Sequence, residues 1–467
     1  MDAMLAAAVP RHNPLQDRLA AHLGVDVAQL PVLTEELDDF EHPNLQVALD
    51  ACAADPGRRV ELIGLGLDNR RFMALGLSDL LTGRTPLGEG PVDYVNFRLA
   101  DDQPLACVQL GLYFVSEGDA RLVVLVAGPV FGGPRPRLRV EVAATSPDSA
   151  RRFLEQLRQE MLRRNVYRGH VISLAPGQIG MGPQSLVAFH TLPAVDRPDL
   201  VLPDGVLDRI ERHTVGFTSH VEQLRTAKRS LKRGLLLHGP PGVGKTLTVM
   251  YLAGRMPGRT VLLTTGAGMG LLRPVAQLAR TLAPSLVVLE DVDLIAMDRN
   301  QMGGRSGPLL FEWLNEMDGL TDDRDVIFLL TTNRPEILEP ALVARPGRID
   351  LVVELPYPDA VGRRRLVELY GRGLDLSGVD TTRLVQRTDG ASPAYLKELL
   401  RHAAVLAVAG DDSVGLHDEH VEQAIDEMAA GGELGLRIMG FQPSPGGAVG
   451  QRAGGYPTSV PRSEPGG

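Results

Sequence analysis

One stretch, Gly239-Pro240-Pro241-Gly242-Val243-Gly244-Lys245-Thr246, constrains the fold of this chain more than any other. It follows the apolar run Gly234-Leu235-Leu236-Leu237-His238, which reads as a buried strand. It precedes Leu247-Thr248-Val249-Met250-Tyr251-Leu252-Ala253, which reads as a helix. Strand, Gly-rich loop and helix in that order are what a phosphate-binding loop requires. Glycines let the backbone wrap a polyphosphate with its N–H groups turned inward, and the helix N-terminus adds partial positive charge. Gly239, Pro240, Pro241, Gly242, Val243, Gly244, Lys245, Thr246 and Leu247 are therefore the candidate binding residues. Lys245 would neutralise β- and γ-phosphates, and the Thr246 hydroxyl would hold Mg²⁺.

A second element is the apolar run Leu286-Val287-Val288-Leu289 followed by Glu290-Asp291-Val292-Asp293. In a parallel sheet, ligands gather at the C-terminal ends of strands, and this run delivers carboxylates there. Glu290 would reach the Mg²⁺ shell through water, and Asp291 would orient and polarise the attacking water. A further buried strand, Val326 to Thr332, ends at Asn333. Asn333 would hydrogen-bond the attacking water or a γ-phosphate oxygen, or else cap the turn before Arg334-Pro335. Downstream, Arg345-Pro346-Gly347-Arg348 presents two guanidinium groups around a turn. They would stabilise phosphoryl-transfer charge, or simply be solvated.

The 467 residues suffice for two or three domains. A net charge of -10 argues against a surface that wraps nucleic acid. Two cysteines far apart in sequence, Cys52 and Cys107, imply no disulfide framework. The longest apolar run, near Leu122 to Phe131, is too short to cross a bilayer as a helix. The opening Met1-Asp2-Ala3-Met4-Leu5 carries an acid where a signal peptide wants a base, so the expected location is the cytoplasm.

Residues 1–195 read as an α+β region, with strands at Val92 to Leu99, Leu105 to Val115, Arg121 to Val130 and Leu138 to Ala144. A helix begins at Ser146-Pro147-Asp148, with an N-cap, a first-turn proline and a first-turn acid. Its arginines, Arg151, Arg152, Arg158, Arg163 and Arg164, are either a partner-binding stripe or a solvated face. The acidic run Glu35, Glu36, Asp38, Asp39, Glu41 reads as a solvated segment. A Pro-rich join at 193–198 leads to residues 200–357, an alternating strand–helix pattern that predicts a doubly wound parallel sheet, hence an α/β fold. Residues 358–430 lack strand signals and read as a small helical domain. The Gly/Pro-rich 431–467 are expected to bury too little surface to order.

These pieces in this order resemble the AAA branch of the AAA+ ATPases, from about Val201 to Ala407. The most specific stretches are Phe311-Glu312-Trp313-Leu314-Asn315-Glu316-Met317-Asp318-Gly319-Leu320, Thr331-Thr332-Asn333-Arg334-Pro335 and Arg345-Pro346-Gly347-Arg348-Ile349-Asp350. The resemblance implies Mg²⁺-dependent ATP hydrolysis in a homo-oligomeric ring, usually a hexamer, with ATP at each subunit boundary. Arg345 and Arg348 would then act on the neighbour's site, Asn333 would sense the γ-phosphate, and the residues after Asp359 would form a lid.

Four departures qualify the likeness. The acidic strand ends Glu290-Asp291 where the family usually has Asp-Glu, an order that resembles the mitochondrial AAA translocase of a folded iron–sulfur protein. One extra residue separates Leu342 from Arg345. The segment Thr264 to Leu272 contains no aromatic, although unfoldase relatives grip substrate there with an aromatic–aliphatic–Gly loop; Met269 and Leu271 are its apolar members. In the lid, Ser392-Pro393 replaces Ser-Gly, which suits a capped helix start. Lys397 or Arg401 would approach a phosphate or face solvent, with Leu396, Leu399 and Leu400 in the core. The sequence thus predicts an ATPase that remodels a protein client selected by the N-terminal region; the alternative is an ATP-dependent switch or scaffold with little turnover. His417-Asp418-Glu419-His420 has the wrong spacing for the helical zinc pair His-Glu-x-x-His, which is absent.

Overall fold

The computed structural model describes residues 13–66, 75–83, 87–129, 137–174, 187–264, 271–293, 324–338, 348–410, 415–430 and 440–441. In the first module, strands β1 (Val32–Leu37), β2 (Arg58–Gly66), β3 (Gly88–Gly90), β4 (Asp93–Arg98), β5 (Pro104–Glu117), β6 (Ala120–Ala127) and β7 (Leu138–Ala144) pair antiparallel. Their order is β1-β7-β6-β5-β2-β3, with β4 also on β5. Helices α1 (Pro14–Leu23), α2 (His42–Ala53), α3 (Leu77–Leu81) and α4 (Pro147–Arg163) cover both faces. Leu15, Leu19, Leu77 and Leu80 share a core with Val123 and Leu125. Leu45, Leu49, Phe153 and Leu157 share another with Leu122, Val124 and Val126. The Leu122–Ala127 part of the long apolar run is therefore in a central strand buried on both sides, which removes the usual alternation.

The arginines of α4 are spent locally. Arg151 pairs with Asp148, Arg158 with Glu35, and Arg163 and Arg164 with Glu160, while Arg152 donates to the Ser149 hydroxyl. This arrangement is the solvated face, not a free basic stripe. The acidic run differs from its expected form. Its first members lie on β1, and Asp39 and Glu41 are sufficiently buried that desolvation raises both carboxyl pKa values.

The second sheet contains β8 (Val171–Leu174), β9 (Val187–His190), β10 (Arg233–His238), β11 (Thr260–Thr264), β12 (Ser285–Leu289), β13 (Val326–Thr332) and β14 (Leu351–Glu354). The order is β14-β10-β13-β12-β11-β8-β9, and only β8–β9 is antiparallel. The N-terminal region, drawn to 195 from sequence, thus sends its last two strands into the second sheet. The junction is tied down: the buried Tyr167 hydroxyl donates to the Phe40 carbonyl, and the Val166 amide donates to Asn44 Oδ1 at 2.9 Å. Helices α5 (Val206–His213), α6 (Val215–Thr218) and α7 (Val221–Thr226) precede β10; α8 (Lys245–Gly254) and α9 (Leu272–Thr281) follow β10 and β11. Alternate strand residues face two cores. Leu235, Leu237, Val288 and Leu329 join α8, whereas Leu236, Val287, Phe328 and Leu330 join α9. This is the predicted doubly wound arrangement.

The third region holds α10 (Ala360–Tyr370), α11 (Thr381–Arg387), α12 (Pro393–Gly410) and α13 (Asp418–Ala429). It also holds a parallel strand pair, β15 (Asp375–Gly378) with β16 (Gly415–His417), where no strand was expected from sequence. Both strands are short and carry no apolar alternation, so only their tertiary pairing defines them. The tail expected to remain unpacked contributes Gly440 and Phe441 to this region, with Phe441 buried. Residues 442–467 lie outside the described residues. Among the described residues no helix is long and apolar enough to cross a membrane.

Candidate nucleotide site

The parallel pairing brings the ends of β10, β12 and β13 to one edge of the sheet. β10 runs into the Gly-rich loop, β12 into Glu290-Asp291, and β13 into Asn333. The loop requires glycine at its tip. Gly242 has φ +76°, and a Cβ there would lie 2.9 Å from both Ala394 Cβ and Ser392 Oγ. The loop ends where α8 begins at Lys245, so helix amides face the same space.

Lys245 is buried, and its Nζ donates to the carbonyls of Gly239 and Pro240 and to Asn333 Oδ1, each at 2.8 Å. Burial lowers its pKa; the negative charges of Asp291 and Asp293 oppose that shift. Asn333 Nδ2 donates to Asp291 Oδ1 at 3.0 Å. One amide side chain therefore bridges the loop lysine and the Asp291 carboxylate. Asn333 does not cap the following turn: that role falls to Thr332, whose Oγ1 accepts the Arg334 amide at 3.0 Å.

Asp291 sits at φ +50° and its amide donates to Thr331 Oγ1 at 3.1 Å. The left-handed backbone turns its side chain toward Asn333, at a conformational cost that the surrounding hydrogen bonds offset. Glu290, by contrast, has a buried Oε1 with no hydrogen-bond partner among the described residues. A buried acceptor without a donor fits a cation, and a hard carboxylate oxygen suits Mg²⁺. Thr246 is exposed within the pocket that the loop lines.

Asp293 is a member of the site that the sequence offered without a role. It is buried, and its Oδ1 accepts from the Thr332 hydroxyl at 2.8 Å and the Asn333 amide at 3.2 Å. It fixes the backbone from which Asn333 projects. A cavity of about 430 Å³ lies over the loop. Its walls include Asp199 to Leu202 just after the join, Leu366 and Tyr370 from α10, and Ala394 and Lys397 from α12. No motif marked the residues after the join or those of α10, because pocket walls need only shape and apolar character. Lys397 lines the cavity while exposed; Arg401 is exposed and paired with Glu398. Leu396, Leu399 and Leu400 are in the core as expected.

Arg348 is buried beside the start of β10, the end of that strand remote from its own phosphate loop. A Cβ on Gly234 would lie 2.0 Å from the Arg348 carbonyl, so the glycine near the start of the strand permits this approach. Arg345, the Phe311 to Leu320 stretch, Leu342 and residues 265–270 of the segment with Met269 lie outside the described residues.

Comparison with known proteins agrees with this geometry. The profile of the ATPase family associated with various cellular activities (AAA) matches residues 235–357. An ATP-dependent zinc metalloprotease FtsH 3 of Synechocystis sp. is 32% identical over 275 residues, covering 56% of this chain and 43% of that protein. A proteasome-activating nucleotidase of Pyrococcus horikoshii is 36% identical over 188 residues, covering 38% of this chain and 47% of that protein. The chloroplastic ATP-dependent zinc metalloprotease FTSH of Nicotiana tabacum is 30% identical over 264 residues, 54% of this chain and 35% of that protein. The chain spans less than half the length of these curated relatives. With the loop, the acidic strand end and the Asn333 bridge in one parallel sheet, residues 235–357 form an AAA ATPase domain of the α/β P-loop type.

Proposed function

We propose that this protein is a Mg²⁺-dependent ATP hydrolase that works as a ring and couples ATP turnover to remodelling of a protein client. The Lys245–Asn333–Asp291 bridge at the ends of adjacent parallel strands carries the reading. A triphosphate entering the loop competes for the three Lys245 donors, which transfers lysine charge to the β- and γ-phosphates. Release of Asn333 from Lys245 leaves its amide between Asp291 and the γ-phosphate, where it orients the attacking water. Asp291 accepts the proton from that water. Thr246 and Glu290 would hold Mg²⁺, which supplies charge neutralisation at the phosphates.

The arginines support the ring reading. Arg348 lies away from its own loop, which suits service to an adjoining subunit, and Arg345 three positions earlier takes the same part. Hexameric stoichiometry, client selection by the N-terminal module and a cytoplasmic location belong to this proposal. The zinc chemistry in the relatives' names is not carried over, because the sequence contains no His-Glu-x-x-His. The Glu290-Asp291 order is a likeness to the mitochondrial translocase in two residues, and we assign no translocation role from it.

The test is sedimentation of purified protein with and without a non-hydrolysable ATP analogue, paired with client capture by Asp291→Asn. The proposal expects an analogue-dependent oligomer and client enrichment over Lys245→Ala. A chain that stays monomeric when saturated with analogue contradicts the ring. Tight ATP binding with negligible turnover in the wild type supports the switch or scaffold reading instead.

A further inference from the structure

Beyond the loop itself, the site has a support behind it. The start of α12 lies between the phosphate loop on one side and Gly440-Phe441 on the other. On the loop side, the Ala394 amide donates to the Gly242 carbonyl at 3.2 Å. On the far side, the Ser392 amide donates to the Gly440 carbonyl at 2.9 Å, and Phe441 forms an isolated antiparallel bridge with Ala391. The Phe441 ring stacks on Tyr395, centroids 4.8 Å apart and planes 20° apart, with both rings buried. Ser392 joins the two sides. Its Oγ accepts the Tyr395 amide at 3.1 Å as the helix cap, and Cβ atoms built on Gly242 and Gly440 would approach that Oγ to 2.9 and 2.4 Å. Gly440 has φ +84°, and its added Cβ would also come within 3.6 Å of the Pro241 carbonyl.

We infer that Gly440-Phe441 is a positioning element of the nucleotide site, holding the capped start of α12 in register against the tip of the phosphate loop. The inference rests on the ATP-binding reading above and assigns that site a part drawn from well beyond the 235–357 domain. Ala394 lines the nucleotide cavity and is bonded to the loop, so any shift of Ser392 alters the cavity wall and the loop tip together. Phe441 anchors the strap through buried aromatic area, and Gly440 provides the close approach that leaves Ser392 in place. A phenylalanine that merely filled the lid core would set stability; a positioning role sets nucleotide affinity as well.

The experiment measures binding of a fluorescent ATP analogue, steady-state kcat and KM, and melting of the nucleotide-free full chain. The proteins are wild type, Gly440→Ala, Phe441→Ala, Phe441→Leu and Lys245→Ala. Gly440→Ala and Phe441→Ala should raise the analogue Kd and the KM for ATP about tenfold, an ordinary size for coupling between adjoining sites. Their kcat should stay within about twofold of wild type, and melting should remain cooperative although lowered by about 5–15 °C. Phe441→Leu, which retains apolar bulk, should restore Kd to within about threefold of wild type. Wild-type Kd and KM in both Gly440→Ala and Phe441→Ala overturn the inference. Loss of cooperative melting in all three strap variants also overturns it, because the segment then holds up the whole lid. A wild type that binds no nucleotide overturns the underlying reading too; wild-type binding lost only in Lys245→Ala overturns the strap alone.

Discussion

Both sheets bury their central strands, and they differ in where they leave polar atoms. In the antiparallel sheet, strand ends alternate between opposite edges, so no edge collects them. Its buried polar groups serve the fold instead. Glu141 on β7 accepts the Leu77 amide that starts α3 and pairs with Arg139 at 2.8 Å. His42 makes a 2.9 Å bond to the Val108 carbonyl. In the parallel sheet, every C-terminal end from β10 to β13 falls on one edge, and the polar residues there face a cavity and one another. The lesson is one of topology: similar buried strands give a scaffold when they alternate and a reaction site when they align.

The opposite edge of the parallel sheet tests that contrast. Arg259 and Asp325, both buried, pair through two bonds of 2.9 and 2.8 Å. We expect Asp325→Ala to cost about 3–5 kcal/mol in denaturant unfolding, since it strands a buried guanidinium. ATP affinity of the folded fraction should be unchanged. Equal loss of affinity and stability would show that both edges serve the site.

A pH titration sharpens the other side of the comparison. Burial lowers the His42 pKa to about 4 from 6.5, so the unfolded chain takes up the proton first. His42 therefore contributes fully above pH 6.5, and that contribution is lost as pH falls toward 4. The difference in unfolding free energy between wild type and His42→Asn should shrink by about 3 kcal/mol across that window. A flat difference would mean that the imidazole is solvated.

Effects confined to the reaction site come next. Asn333→Ala removes the bridge between Lys245 and Asp291 and should lower kcat about a hundredfold with little change in melting. A large melting shift would mean that Asn333 serves the scaffold. The smallest effect is expected on α4, where Arg158→Ala breaks an exposed pair with Glu35 and should cost less than about 1 kcal/mol. Client capture should be unaffected; its loss would restore the basic-stripe reading.

The loop, the acidic strand end and Asn333 were legible in sequence because each joins a buried strand to a chemically specific side chain. The α/β pattern and the capped start of α12 were legible for the same local reasons. Three things were not. Asp293 acts through hydrogen bonds to a different strand, which spacing does not reveal. β8 and β9 join a sheet whose other strands lie far downstream, and their residues carry no mark of that choice. Phe441 sits in a Gly/Pro-rich context that predicts disorder, and tertiary partners, Tyr395 and Ala391, order it.

The most direct test is steady-state ATP turnover, with ATP binding measured on the same samples of wild type, Asp291→Asn and Lys245→Ala. The account predicts Mg²⁺-dependent turnover in wild type. It predicts retained binding with turnover lowered at least about a hundredfold in Asp291→Asn, and lost binding in Lys245→Ala. Wild-type protein that binds ATP yet turns it over no faster than Asp291→Asn would contradict it.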